Sequence, residues 1–401
     1  MAIKRTWLSQ DLLGFSLASF FNDFSHEMTT VLLPSFIQML VGAQHAPYVL
    51  GYVSGISKAA ESILRLFSGW LSDRISRHKF LLIIGYALTP LFSGLIGTAH
   101  HVWQVITYKT IAWAGRGLRE PPRDAWMARI VPAQDYGKAF GLQRAFDTFG
   151  AIIGPIIVFF AINYFSIRSI FLMSLIPGIF SVASIIFLTH DNKKRFKDIH
   201  TSLRGQFSAL PLVFIYFIIT RLIFGLGNFD KTFIILRAQE LLSGQAHSSV
   251  VATSWAIALY VLFNGIRAIG EYGLGALSDY INRKNLLAVI GFGLLGLMNG
   301  LLLASSSSIV LWMLIFTLAG LSTAAVTSLE KSYAADLLPE HVRGMGYGLL
   351  EATDGVGMLV SNIVVGTLWT SANASYGFMY SGLLSIVSMV LLLVIKSKKV
   401  E

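Results

Sequence analysis

Residues 69–79 read GWLSDRISRHK and residues 275–284 read GALSDYINRK, so one short charged pattern occurs twice in the chain. The glycine, the leucine, the aspartate and one arginine of the two stretches align at an offset of 206. Further matches between residues 132–150 and residues 339–357 share an offset of 207. Two separated matches at almost the same offset indicate a duplication. The sequence therefore predicts two halves of the same architecture, each with the charged pattern on the same side.

The composition indicates that most of the chain lies in a membrane. Hydrophobic residues make up 54% of the 401 residues, and the mean hydropathy is +0.65. A transmembrane helix needs about 20 mostly apolar residues, and such segments recur along the whole chain. We predict an all-α membrane protein with twelve transmembrane helices in two six-helix bundles, at residues 11–40, 47–71, 80–98, 103–130, 138–163, 168–188, 209–239, 248–276, 285–304, 308–336, 345–369 and 375–395.

The placement of lysine and arginine predicts the orientation of these helices. Both residue types concentrate at the two termini and in alternate loops, on one side of a twelve-helix topology, and this accounts for most of the net charge of +10. We therefore expect both termini to be cytoplasmic, in the inner (cytoplasmic) membrane, with helix 1 as an uncleaved insertion signal and no nucleic-acid partner. The predicted domains are residues 1–190, a cytoplasmic linker at 191–207, and residues 208–401.

A second charged stretch, GRGLREPPRD at residues 115–124, interrupts an apolar segment. If one helix contains it, its charges lie at membrane depth, where ionisable residues are costly and usually functional. Arg116, Arg119 and Arg123 recur at spacings of three and four and therefore share one face of that helix. Guanidinium groups in a dry cavity suit a carboxylate or phosphate, which favours an anionic or zwitterionic solute. Alternatively, nearby acids neutralise these arginines and the solute is amphipathic.

Helix 1 carries ionisable groups near its middle. Asp23 and Glu27 lie one turn apart, as do Asn22 and His26. Burial disfavours the ionised form of a carboxyl group, so a carboxyl at mid-depth can take up and release protons near neutral pH. Two interpretations are open. Either Asp23 and Glu27, together with His26, carry protons, or the acids pair with the arginines of helix 4 and stay ionised.

These motifs resemble the major facilitator superfamily of transporters. Residues 69–79 resemble its signature loop between helices 2 and 3, with Ser76 in place of the second glycine. GAIIGP at residues 150–155 is similar to a helix 5 motif of its antiporter branches, and residues 109–155 resemble a prokaryotic exporter-like subgroup. The resemblance implies alternating access around a central site lined by helices 1, 4, 7 and 10, and we expect a monomer. The substrate-binding residues would be Asn22, Tyr108, Trp113, Arg116, Arg119, Arg221 and Asn228.

The resemblance also implies a cytoplasmic latch. A carboxylate in the repeated loop can accept from backbone N–H groups and pair with an arginine, which would stabilise one of two conformations. Alternatively, these loops only anchor the topology. The predicted latch residues are Asp73, Arg77, Arg123, Asp124, Asp147, Asp279, Arg283 and Asp354. Two further pairs, Glu61 with Arg65 and Arg267 with Glu271, are one turn apart and are expected to pair within their helices.

The sequence argues against enzyme functions. It contains no phosphate-binding GxxxxGK[ST] loop, no HExxH pair and no GxSxG elbow, and its lack of cysteine excludes disulfides and thiolate metal sites. We expect no cofactor and no metal. We predict a secondary transporter that moves a small organic solute across the lipid bilayer by proton-coupled export. The alternatives are a facilitator or an uptake symporter for an anionic metabolite, and a membrane sensor without transport.

Overall fold

The computed structural model describes residues 7–74, 78–190, 210–243, 249–280, 284–339 and 342–394, and no strand occurs among them. The predicted all-α class is therefore confirmed. The predicted linker at 191–207 lies outside the described residues. In chain order the α-helices of the described residues are α1 (Gln10–Thr30), α2 (Leu33–Arg74), α3 (His78–Leu95), α4 (Val102–Ile130), α5 (Tyr136–Ala161), α6 (Ile167–Met173), α7 (Leu175–Leu188), α8 (Leu212–Gly227), α9 (Thr232–Ser243), α10 (Ser249–Tyr280), α11 (Lys284–Leu302), α12 (Ile309–Leu337), α13 (Arg343–Ser371) and α14 (Ala374–Val394).

Eight segments of the described chain are long and apolar enough to cross a membrane. They are Lys79–Thr98, Tyr136–Ala161, Ile167–Leu188, Leu212–Ser243, Val250–Leu274, Ile309–Leu337, Gly344–Ser371 and Ala374–Val394. A shorter apolar helix, Ala288–Leu302, accompanies them. Three further helices, α1, α2 and α4, are long but carry many of the polar and charged residues discussed below. The count of twelve spans and the cytoplasmic position of the termini stay predictions.

The first predicted transmembrane helix is divided in the structure. A turn at residues 31–32 separates α1 from α2, and α2 then continues through the loop that the sequence predicts at residues 41–47. Only Gly42 leaves the helical conformation there, with φ 78° and ψ 162°. Because positive φ is strained for residues with a side chain, glycine permits this bend in the chain.

The predicted helix at residues 209–239 is also divided, into α8 and α9. The Asp230 carboxylate accepts a hydrogen bond of 3.0 Å from the Thr232 N–H and so begins α9. The Asp230 N–H in turn donates to Asn362 Oδ1 at 2.8 Å. Side chains therefore pair the backbone groups that the break leaves without helical partners, as a membrane requires.

The contacts between helices divide the chain into two compact units. Unit 1 contains Met1–Phe36 and Ile56–Asp198, and unit 2 contains Ile37–Gly55 and Ile199–Glu401. In unit 1, α1 packs on α5 and α7, and α3 packs on α4 and α7. In unit 2, α8 packs on α13 and α14, and α11 packs on α12 and α14. The same set of helix pairs therefore recurs, as the duplicated sequence predicts.

Helix α4 carries the predicted charged stretch and runs unbroken through two prolines. Proline has no N–H, so Pro122 leaves the carbonyl of Leu118 without its helical donor. The Ser68 hydroxyl of α2 donates to that carbonyl at 2.6 Å. This hydrogen bond satisfies the carbonyl and holds α4 against α2. The charged face of α4 therefore continues along one helix, as predicted.

Candidate functional site

Helix α1 buries four polar side chains in the interior of unit 1. Asn22, Asp23, His26 and Glu27 are all less than 10% exposed (0%, 7%, 4% and 9%). Burial of ionisable groups is costly unless they are paired or hydrogen-bonded. Asn22, Asp23 and His26 each contact a side chain of α4. The structure therefore brings together the two groups of residues that the sequence analysis nominated separately.

The Asp23 carboxylate lies between two arginines of α4. Asp23 Oδ1 is 3.7 Å from Arg119 Nη2, and Asp23 Oδ2 is 3.9 Å from Arg116 Nη2. Both distances exceed those of a charge-assisted hydrogen bond. Among the described residues, the Asp23 carboxylate therefore has two electrostatic partners and no short hydrogen bond.

Arg119 is held almost entirely by protein groups. Its Nη1 donates to Asn22 Oδ1 at 2.6 Å and to Thr89 Oγ1 at 2.9 Å. Its guanidinium carbon lies 4.6 Å from the centre of the Tyr86 ring, and its side chain is 2% exposed. These contacts connect α1, α3 and α4. The cargo-binding role of Arg119 stays a prediction, and the role that these contacts favour is to connect the three helices.

We expect Arg119→Lys to lower the free energy of unfolding by about 1–3 kcal/mol, because an ammonium cannot reproduce the planar fork that reaches Asn22 and Thr89 while stacking on Tyr86. Thermal unfolding of the purified protein measures this. Arg129→Lys, an exposed position in the last turn of the same helix, is the matched control. Equal melting temperatures for the two variants would contradict the prediction.

Arg116 belongs to a chain of ion pairs that reaches α2. Arg116 Nε donates to Glu120 Oε1 at 3.0 Å, and Arg65 contacts the other oxygen of Glu120. Arg65 also pairs with Glu61 at 2.7 Å, and Lys58 pairs with Glu61 at 2.9 Å. The predicted pair of Glu61 and Arg65 is thus confirmed, and so is Arg267 with Glu271, at 2.9 Å. The links to Glu120 and to Lys58 were not predicted.

Trp113 lies among three cations. The indole centre is 5.5 Å from Lys109 Nζ, 5.9 Å from Lys58 Nζ and 5.6 Å from the guanidinium carbon of Arg116. The His26 ring meets the indole edge to face, with centroids 5.2 Å apart. The sequence analysis named Trp113 and Arg116 but missed both lysines. Lys109, Trp113 and Arg116 are spaced by four and three residues, and this helical spacing was the available signal.

We call the buried and half-buried charges around Asp23 and Trp113 the unit 1 cluster. It contains five cations and five carboxylates, namely Lys58, Arg65, Lys109, Arg116, Arg119, Asp23, Glu27, Glu61, Glu120 and Asp147. Arg123 and Asp124 lie beside it and pair with each other. With every carboxylate ionised, the described cluster carries no net charge.

The predicted latch residues are described only in part. Arg123 Nε pairs with Asp124 at 2.9 Å, and Arg123 Nη1 donates to Ser19 Oγ at 3.1 Å. Gln143 donates to Ser19 Oγ and to Asp147 Oδ2, both at 3.0 Å. These bonds connect α1, α4 and α5. The side chains of Asp73 and Asp279, and all of Arg77 and Arg283, lie outside the described residues, so the latch stays a prediction.

Unit 2 has its own buried ion pairs. Arg221 of α8 forms two hydrogen bonds with Glu330 of α12, at 3.0 and 2.9 Å, and one with Asp354 of α13, at 2.6 Å. The Arg221 side chain is 2% exposed and its guanidinium lies 5.0 Å from the Phe224 ring centre. Two carboxylates therefore hold Arg221. Its cargo role and the latch role of Asp354 stay predictions.

Two other predicted substrate residues lie apart from these ion pairs. The Tyr108 ring packs on Phe92 of α3, with centroids 6.0 Å apart, and is half-buried. Asn228 ends α8, where its N–H donates to the Gly225 carbonyl at 3.1 Å. Among the described residues, no group of three histidine, aspartate or glutamate side chains is arranged to hold a metal ion.

Comparison with known proteins places this arrangement in a family. The family model of the Major Facilitator Superfamily matches residues 15–235 and 222–401 of this chain. An uncharacterized MFS-type transporter of Methanocaldococcus jannaschii is 32% identical, over 96% of this chain and 94% of that protein. The multi-drug resistance efflux pump PmrA of Streptococcus pneumoniae is 25% identical, over 72% of this chain and 70% of that protein.

Solved structures share the fold. The crystal structure of the nucleoside transporter NupG superposes with a TM-score of 0.76 at 14% identity, over 96% of this chain and 99% of that one. The crystal structure of a D-xylose-proton symporter superposes with a TM-score of 0.73 at 14% identity, over 98% of each chain. With the sequence matches, the repeated helix packing and the buried charges of unit 1, these likenesses show that the chain belongs to the major facilitator superfamily and is a multi-pass membrane transporter, not an enzyme.

Proposed function

We propose that this protein couples the movement of a small organic solute to the movement of protons, with Asp23 as the proton carrier. The observation that carries the proposal is the position of the Asp23 carboxylate, 3.7 and 3.9 Å from two arginines that both hydrogen-bond to other groups. A proton on Asp23 would break no short hydrogen bond among the described residues. The carboxyl group can therefore change its charge while its surroundings keep their structure.

Glu27 and His26 are the other candidates for the proton carrier. His26 Nε2 lies 3.2 Å from the Thr30 hydroxyl, so a neighbour on the same helix already contacts that ring nitrogen. Glu27 is 9% exposed and lies one turn from Asp23. Asp23 is the stronger candidate because both α4 arginines face it. A change in its charge would therefore act directly on α4.

We further propose that the protein exports its solute across the cytoplasmic membrane by alternating access. The likeness to an efflux pump supports export. Antiport, which the helix 5 motif resembles, requires that solute and proton compete for the protein. Symport requires that they bind together.

A second candidate function is uptake or facilitated diffusion of an anionic metabolite. The three cations around Trp113 favour an anionic solute. If the acids of the cluster were only structural, solute movement would depend on the solute gradient and not on pH.

The proposal is tested in proteoliposomes with an imposed pH gradient and a trapped pH-sensitive dye. Organic anions, organic cations and neutral amphiphiles are added in turn, with protein-free vesicles as the control. We expect one class of solute to move protons across the membrane. Measurable solute flux without any proton movement would overturn proton coupling and leave a facilitator.

A further inference from the structure

We infer that the cations around Trp113 bind the acidic group of a monoanionic organic solute, and that this anion binds together with a proton on Asp23. The inference rests on the proposed role of Asp23. It adds the class of solute and the direction in which the solute moves relative to the proton. In this scheme one anion and one proton cross the membrane in the same direction. An exporter of this kind would release an organic acid as an anion with its proton.

Two buried nitrogens beside these cations have no hydrogen-bond partner within the part of the chain that the structure describes. They are Trp113 Nε1 and His26 Nδ1. His26 is 4% exposed. The indole N–H can only donate. His26 Nδ1 donates whenever the ring carries its proton there. A buried donor without an acceptor costs about 1–3 kcal/mol, so an incoming carboxylate oxygen would supply what these groups lack.

The charges of the cluster fit one negative charge and not two. Lys58 and Arg116 keep protein carboxylates within 2.9 and 3.0 Å while they face the indole. With Asp23 protonated, the cluster as a whole has an excess of one cation. A monoanion would neutralise that excess, whereas a dianion would leave one uncompensated buried negative charge, which is costly.

Arg116 connects this site to Asp23. Its Nη2 is 3.9 Å from Asp23 Oδ2, and its guanidinium carbon is 5.6 Å from the indole centre. A bound anion would therefore compete with Asp23 for the same guanidinium. The cluster can then hold the anion at the lowest cost when Asp23 is neutral.

The groups that face Asp23 from the surrounding helices do not reverse the preference of the anion for a neutral Asp23. α4 contributes Arg116, Arg119 and Glu120, and α5 contributes Asp147. α3 contributes the Tyr86 ring beside Arg119, α7 contributes the neutral Ser181 beside Asn22, and α1 itself contributes His26 and Glu27. A bound anion adds a negative charge near Asp23 and therefore favours the protonated form of its carboxyl group. Linkage is reciprocal, so protonation of Asp23 should raise the affinity for the anion by the same factor.

Calorimetric titration of the purified full chain tests the inference with four probes that share one ring: benzoate, phthalate, benzyl alcohol and benzylamine. We expect benzoate to bind best and to bind more tightly at acidic than at alkaline pH, within the range where benzoate stays ionised. Trp113→Phe keeps a ring and removes the N–H, and should weaken benzoate binding by about tenfold. Trp103→Phe is the control, because Trp103 lies on the same helix and is 63% exposed.

The inference is overturned if benzylamine or phthalate binds better than benzoate, if benzoate binding weakens at acidic pH, or if the two tryptophan variants bind equally. The wild-type comparison of probes does not depend on whether any variant folds. Failure of the proposed function is a separate result: benzoate would bind with the expected pH dependence, yet its flux in proteoliposomes would move no more protons than in protein-free vesicles. Conversely, proton movement driven by benzylamine beyond that in protein-free vesicles would support coupling and overturn the monoanion.

Discussion

Asp23→Asn is expected to abolish solute-driven proton movement in proteoliposomes, to the background of protein-free vesicles, while the protein still folds and binds its solute. Asparagine has nearly the same shape as aspartate but cannot carry a proton between the two sides of a membrane. The two arginines beside it keep their bonds to Glu120, Asn22 and Thr89. The loss should therefore be a loss of coupling and not of structure. Internal pH and solute flux are measured in the same vesicles.

Asp11→Asn is the matched control for this variant. Asp11 lies on the same helix, pairs with His190 at 3.1 Å, and is outside the unit 1 cluster. It should leave proton movement unchanged. Glu27→Gln makes the same kind of change one turn along α1 and should have the smaller effect. Coupling that survives Asp23→Asn and disappears in Glu27→Gln would assign the proton to Glu27.

Features that depend on a single helix could be predicted from the sequence. The spacing of Arg116, Arg119 and Arg123 predicts their common face, and one continuous α4 confirms the helix. The spacing of Glu61 and Arg65 predicts their pair, which is observed. Helical periodicity is a local property, so about one turn of sequence contains the whole signal.

Features that depend on contacts between distant helices could not be predicted in this way. Lys58 and Lys109 meet at Trp113 although 51 positions separate the two lysines in the sequence. Arg221 finds its partners at Glu330 and Asp354, more than 100 positions away. The duplication predicted that both halves have the same helix pairs. It could not predict which charged side chains meet, because the charges themselves differ between the two copies.

The breaks in the predicted first and seventh helices show the same limit. Both segments are apolar and long enough to read as one helix each. The break before Thr232 depends on Asn362, whose side chain accepts the Asp230 N–H. Hydropathy detects the membrane segment but contains no information about a partner that pairs the freed backbone groups.

The glycines of the helix 5 motif mark a close approach of α1 and α5 in unit 1. A Cβ atom on Gly150 would lie 2.3 Å from the Phe20 carbonyl oxygen and 2.9 Å from the Phe24 nitrogen of α1. Gly357 of α13 is the repeat counterpart of Gly150 in unit 2. A Cβ atom on Gly357 would lie 2.7 Å from the backbone of Gly225 in α8. Small residues allow this approach between membrane helices. The physical role of the motif in this protein is therefore close packing.

Gly150→Ala is accordingly expected to destabilise the protein by at least about 1–3 kcal/mol, because the backbone of α1 cannot yield as a flexible side chain would. Gly141→Ala is the control, since Gly141 lies on the same helix and no atom of the described residues lies within 4 Å of its added Cβ. Alanine is the better helix former by about 0.5–1 kcal/mol, so the control should be neutral or slightly stabilising. The same substitution should thus lower the melting temperature at Gly150 and not at Gly141. A Gly150→Ala variant as stable as the wild type would show that α1 and α5 do not approach as closely as the structure places them.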